Sequence, residues 1–218
     1  MGQSPPIRLI LASGSPARRE LLERAGYQFD VQPAHIDEPT GAGFTDPRTY
    51  VHTVAWLKAA AVAPKVAEGL VLAADTVGWL DGQVIGKPDD EAHARRILTT
   101  LGGRQHELWT GVVLWRRPGD VQIAWQERSL VFFRQLSPAE LDAYLATRTW
   151  QGCSGAYAIQ EENDPYVQLL EGSISNVIGL PMESLVETLD FSLKGWNNIA
   201  QGNVLGTRSK TDPSPERA

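Results

Sequence analysis

Hydrophobic and polar positions along the chain fall into two successive patterns. In the first half, short apolar runs alternate with stretches of helical spacing. Longer alternating stretches fill the middle. The first run, Ile7 to Ala12, predicts a buried strand. Ser13, Gly14, Ser15 and Pro16 break it. A helix should follow, with Ser15 as N-cap, Pro16 at the first helical position and Gly26 just past its end. Phe29 to Val31 reads as a short strand. Asp46–Pro47 opens a second helix that runs to about Ala63, its Val51, Val54, Ala55 and Ala59 at helical spacing. Leu70 to Val77 is the most apolar strand. Asp81–Gly82 is a two-residue hairpin signal between Trp79–Leu80 and Gln83–Ile85. Glu91 to Leu101 predicts a helix closed by Gly102–Gly103.

Arg104 to Arg117 and Val121 to Leu136 predict two long antiparallel strands about the turn Pro118–Gly119–Asp120. Their tryptophans, Trp109, Trp115 and Trp125, suit packing better than base stacking. Ser137 to Glu140 is a capping box. Gly152 to Gln160, GCSGAYAIQ, is glycine-rich and then strand-like. Tyr166 to Leu170 and Ser173 to Leu180 suggest another hairpin, and Pro181–Met182–Glu183 opens a last helix to about Leu189. The polar stretch GTRSKTDPSPERA is expected to be disordered. Early alternation of strands and helices, followed by long antiparallel strands, argues for an α/β protein with a mixed sheet.

Composition narrows the class. The chain has 218 residues and a formal charge of −6, and its Lys and Arg are scattered rather than banded, which argues against nucleic-acid binding. A single cysteine, Cys153, excludes an internal disulfide framework and points to a reducing compartment. MGQSPPIR lacks the build of a signal peptide, and no apolar run is long enough to span a bilayer. The expectation is a soluble, cytoplasmic protein without a membrane partner.

Three features carry candidate chemistry. Arg18 and Arg19 lie in the first turn of the first helix, where cations oppose the helix dipole. An anion at that terminus, held by amides, hydroxyls and guanidinium groups, would account for them. The plainer alternative is a strand–turn–helix corner with two solvated arginines. Asp75 interrupts the most apolar strand; if buried, it must be paired, protonated or bound to metal. The alternative is a strand end with Asp75 exposed. Lys58 falls near the apolar face of its helix, and the hairpin brings Gly86–Lys87–Pro88 towards Asp75. Either lysine could also be an ordinary solvated one.

Several segments then resemble one family in its order. ASGSPARRELL, HIDEP, WLKAAAVA, AADTV, GKP, LGGRQHELWTGV, SGAYAIQ and NVIGLPMES match the Maf family from about Ile7 to Thr188. The resemblance implies a Maf-like domain over 7–192, between a short tail (1–6) and a C-terminal extension (193–218). It implies the elongated mixed sheet with flanking helices of the ITPase (Ham1-like) fold, with two lobes around a cleft. It also implies a cytoplasmic, homodimeric nucleoside triphosphate pyrophosphatase that needs Mg²⁺ or Mn²⁺ and releases a monophosphate and pyrophosphate. Asp75 would accept the proton; Ser13, Arg19, Lys58 and Lys87 would contact phosphates, and Glu38 would lie near the metal. The chemistry suits the residues. A triphosphate carries about four negative charges, so a cradle of Arg18, Arg19, Lys58 and Lys87 fits it. Asp75 and Glu38 offer the oxygen ligands that Mg²⁺ or Mn²⁺ prefers.

Thr76 and Gln160 agree with the branch resembling dTTP/UTP pyrophosphatases, whereas Ala17 stands where that branch has arginine. Cys153 looks more like the branch acting on 7-methyl-GTP, which lacks the ADT and AYxIQ pattern. The reading favours dTTP and UTP, or modified nucleotides removed in a house-cleaning role. Two other classes stay open: a nucleotidyltransferase, and a non-catalytic nucleotide-binding regulator of division.

Overall fold

The computed structural model describes residues 8–159 and 164–190. The proposed specificity residue Gln160 and both tails lie outside them. Among the described residues seven strands form one mixed sheet: β1 Leu9–Leu11, β2 Phe29–Val31, β3 Gly69–Leu80, β4 Gln83–Ile85, β5 Arg104–Arg117, β6 Gln122–Phe133 and β7 Val167–Glu171. Their order is β2-β1-β3-β5-β6-β7, with β4 paired to β3 alone. The helices are α1 Pro16–Arg24, α2 Pro47–Val62, α3 Glu91–Leu101, α4 Pro138–Ala146, α5 Ile174–Ile178 and α6, residues 182–190.

β1 is buried throughout and runs parallel to both of its neighbours. The chain leaves β1 through α1 to reach β2 on one side, and returns through α2 to β3 on the other. Right-handed crossovers in opposite directions put their helices on opposite faces. The packing shows this. Leu9, Leu11, Leu70 and Leu72 meet Leu22 of α1 and Leu185 of α6. Ile10, Val71, Ala73 and Val113 meet Ala55, Ala59 and Val62 of α2. β3, β5 and β6 continue as a long antiparallel arm. At its far end Leu80, Leu108, Val131 and Phe133 form a separate core with Leu98 and Leu101 of α3 and Leu145 of α4.

Local signals explain the elements. Ser15, Asp46, Asp90 and Ser137 cap α1, α2, α3 and α4, and Ser137 with Glu140 completes the capping box. The β3–β4 hairpin turns at Asp81 (φ 51°) and Gly82 (φ 78°), a pair of left-handed residues that matches the strand twist.

Two expectations fail. Residues 173–180 do not form a hairpin arm; β7 pairs with β6, and α5 follows. Ile174, Val177 and Ile178 are spaced as on a helix, and Ser173 Oγ caps the Asn176 amide at 3.2 Å. Residues 154–156 turn sharply rather than leading into a strand, because Gly155 (φ 81°) and Ala156 (φ 60°) are both left-handed. Tyr157 follows, buried, with its hydroxyl 2.7 Å from His106 Nε2. Burial, with the charge of Arg104, pushes His106 down to about 4, so the imidazole is neutral near pH 7.

α2 lies directly on the backbone of β5. A Cβ at Gly111 would sit 2.5 Å from Val51 O and 2.6 Å from Val51 C. Gly111 is the register partner of Asp75, so this contact sets how closely α2 approaches the strand that carries Asp75. Gly111→Ala should destabilise the protein by about 2–3 kcal/mol through overpacking. Urea denaturation reads this, and an unchanged midpoint would mean that α2 can retreat without loss.

Candidate active site

β1 ends opposite Leu72, and β4 does not begin until Gly78. Between them one edge of β3 pairs with no strand among the described residues. This gap lies beyond the C-terminal end of β1, at the point where the crossovers diverge, which is where open α/β sheets place ligands. Asp75 and Thr76 occupy the gap and, as successive strand residues, point to opposite faces. The Thr76 carbonyl accepts from Ser154 Oγ at 2.8 Å, and Gly155 N–H donates to Gly86 O at 3.1 Å. The 152–159 segment therefore docks on this edge and on the GKP loop.

On the α2 face, Lys58 Nζ donates to Asp75 Oδ1 at 2.7 Å and lies 2.8 Å from Glu38 Oε1. Lys58 and Asp75 are 7 % and 6 % exposed, while the Glu38 side chain is 42 % exposed. Burial works to raise the Glu38 carboxyl, but the hydrogen bond from Lys58 and the charges of Lys58, Lys87 and Arg18 hold it below its ordinary value. Tyr50 of α2 stands nearby and donates to Pro39 O at 3.1 Å. Burial and the charges of Asp75 and Glu38 push its hydroxyl up to about 12. Asp75 Oδ2 makes no hydrogen bond to a described residue.

On the α1 face, Arg18 is 9 % exposed. Its Nε donates to Gly179 O at 2.7 Å, one terminal nitrogen to Ser13 Oγ at 3.1 Å and the other to Thr76 Oγ1 at 3.1 Å. Burial lowers its pKa, and the charges of Asp75 and Glu38 oppose that. A cation at the start of α1 thus finds compensation within the protein as well as through any anion. The amide cradle is narrower than expected: Ser15 Oγ takes the Arg18 amide at 3.4 Å, and Ser13 Oγ takes the Ser15 amide at 3.2 Å. Among the described residues Ser13 Oγ accepts in both of its contacts, which leaves its own proton to meet an anion.

The fold thus gathers Ser13, Arg18, Glu38, Lys58, Asp75 and Thr76 from four separate segments. Lys87 is exposed in the loop after β4, and its charge acts on Glu38 and Cys153. Arg19 is exposed and lines a shallow hollow with Glu23, Tyr27 and Phe29. Ala17 is half-buried and adds no polar group. Tyr50, Thr110, Ser154 and the Gly179 carbonyl are contributors that the sequence reading missed. Thr110–Gly111 carried a signal, since a glycine inside an apolar strand marks close backbone approach.

The profile of the Maf family, described as Maf-like protein, matches residues 8–191. The chain belongs to the Maf family. It is 41 % identical over 191 residues to a dTTP/UTP pyrophosphatase of Rhodopirellula baltica, covering 87 % of this chain and 84 % of that one. It is 46 % identical over 185 residues to a dTTP/UTP pyrophosphatase of an Anaeromyxobacter species, covering 84 % and 88 %. Part of it also superposes on the Ham1 protein of Staphylococcus aureus with a TM-score of 0.42 and 16 % identity, over 58 % of this chain and 71 % of that one.

In this Maf protein the buried pair is balanced only while both charges are present. Lys58→Met should lower stability by about 3–5 kcal/mol, because Asp75 would be left buried without a counter-charge. Adding Asp75→Asn to that variant should recover part of the loss. Denaturation of both proteins at pH 8 decides this: a single variant as stable as the wild type would mean that solvent carries the Asp75 charge.

Proposed function

We propose that this chain hydrolyses nucleoside triphosphates to the monophosphate and pyrophosphate, with dTTP and UTP as preferred substrates. The observation that carries this reading is the Asp75–Lys58–Glu38 cluster, which faces Arg18 at the open edge of β3. The names of the relatives, Thr76 and the docked SGAYA segment support the choice of base.

Asp75 Oδ2 is the free oxygen that takes a proton from the attacking water. That water forms a bond to the α-phosphorus as the bond from this phosphorus to the α–β bridging oxygen breaks, and pyrophosphate leaves with the electron pair. Arg18 and the free proton of Ser13 hold phosphate oxygens, and Lys58 offsets charge that develops on them. Lys87 and Arg19, both exposed, are free to turn towards the outer phosphates.

The acids suit a divalent cation. Oxygens of Asp75 and Glu38 meet on a single Lys58 nitrogen, so both can reach one small cation. Among the described residues no group of three His, Cys, Asp or Glu side chains converges, so phosphates and water would complete the shell, as is usual for Mg²⁺. Such an ion would neutralise phosphate charge and make bound water more acidic. No helix among the described residues is long and apolar enough to cross a membrane. A cytoplasmic location and a homodimer complete the proposal.

With Mn²⁺ or Mg²⁺ the protein should release pyrophosphate from dTTP or UTP. Asp75→Asn should lower kcat at least about 10²-fold, the lower end of what a lost general base costs, while the fold persists by circular dichroism. Undiminished turnover in that variant would remove Asp75 from the mechanism. Arg18→Gln should raise KM for dTTP more than Arg19→Gln does, and the reverse order would place the phosphates on the outer face of α1.

A further inference from the structure

Behind Arg18 the structure contains a chain of hydroxyls that no catalytic step uses. Thr76 and Thr110 are register partners on β3 and β5, with Oγ1 atoms 2.9 Å apart. Thr110 is fully buried, and its Oγ1 lies 3.1 Å from Asn176 O. Arg18 Nη2 lies 3.1 Å from Thr76 Oγ1.

Proton counting sets the direction of this chain. Guanidinium can only donate, a carbonyl can only accept, and each hydroxyl has one proton. Thr110 gives its proton to Asn176 O. It must therefore accept from Thr76, and Thr76, its proton committed, accepts from Arg18. The competing arrangement would turn the Thr76 proton to Gly179 O, a longer contact at 3.4 Å, and would leave the 2.9 Å Thr76–Thr110 contact without a proton.

We infer that Thr110 is a positioning residue for the phosphate site: it takes the Thr76 proton, leaves Thr76 as a pure acceptor, and so fixes the Arg18 guanidinium before nucleotide arrives. The inference rests on the proposed pyrophosphatase reading for its kinetic consequence. It also changes what Thr76 does. Having no proton to offer, Thr76 acts on substrate choice through the placement of Arg18, and does not donate to the nucleotide. Without Thr110 the Thr76 proton turns to Gly179 O and competes there with Arg18 Nε.

The test uses the full chain with Thr110→Val, which keeps shape and removes the hydroxyl, and Thr110→Ser, which keeps the hydroxyl. Thr76→Val and the Thr76→Val/Thr110→Val double variant break the same chain one link earlier. Because Arg18 grips the nucleotide in ground and transition states alike, Thr110→Val should raise KM for dTTP about ten-fold with kcat within about two-fold, the scale of one buried hydrogen bond. Thr110→Ser should stay near wild type, and the double variant should be no worse than Thr76→Val. Side-chain ¹⁵N spectra without nucleotide should show the Arg18 Nε–H resonance shifted in Thr110→Val and unshifted in Thr110→Ser.

Wild-type kinetics and an unshifted Arg18 signal in Thr110→Val would overturn the inference, as would equal damage from Ser and Val, or additive losses in the double variant. If Thr110→Val does not fold, Thr76→Val and Thr110→Ser decide by the same readouts. A wild-type protein that releases no pyrophosphate from dTTP or UTP would defeat the functional reading instead, and the Arg18 spectra would then decide this inference alone.

Discussion

One ammonium group between two carboxylates constrains the rest of this structure. Lys58 and Asp75 are both nearly out of solvent, and each would be very costly to bury alone. Together, with Glu38 at the rim, they are tolerated only in close contact. That contact depends on α2 lying against the sheet at backbone distance, which Gly111 allows by lacking a side chain. The charged cluster and the helix packing therefore stand or fall together, and a chemical group is held in place by the same contact that builds the core.

The sheet decides how charges from both of its faces can meet. Along β3 the Asp75 side chain belongs to the α2 face and Thr76 to the α1 face. In a fully paired strand the backbone would separate them. Here β1 stops short and β4 starts late, so Lys58 and Glu38 reach the gap from one face while Arg18 and Ser13 reach it from the other. The β1–β2 and β2–β3 crossovers run in opposite directions across β1 and put α1 and α2 on those opposite faces, so the geometry follows from strand order.

The cations divide by how firmly they are held. Arg18 is locked by three acceptors from three segments, and its fork geometry uses each of them. Lys58 is held by the Asp75 and Glu38 carboxylates that it bridges. Lys87 and Arg19 are exposed and keep their rotamer freedom. A polyphosphate would thus meet a rigid centre first and mobile charges at its ends. That division keeps the ordering cost low where precision matters most.

Much of this was legible in the sequence. Caps, the Asp81–Gly82 turn, the two long strands and most helix limits follow from local chemistry within a few residues, and they appear in the structure where the sequence puts them. Asp75 was also visible, because a carboxylate in an apolar strand is anomalous wherever it lies. Other features were out of reach. The α5 segment, with apolar residues at both readings' spacing, was decided by Ser173 and by Asn176 bonding to Ser129 Oγ and Leu108 O, contacts far along the chain. Whether Lys58 was solvated or buried, and which of Arg18 and Arg19 turned inward, depended on the helix's rotation against the sheet. The sequence by itself determined which elements form and which charges needed an explanation. The tertiary structure alone decided which charges meet, because partners such as Arg18 and Gly179, 161 positions apart, are joined only by strand order and close packing.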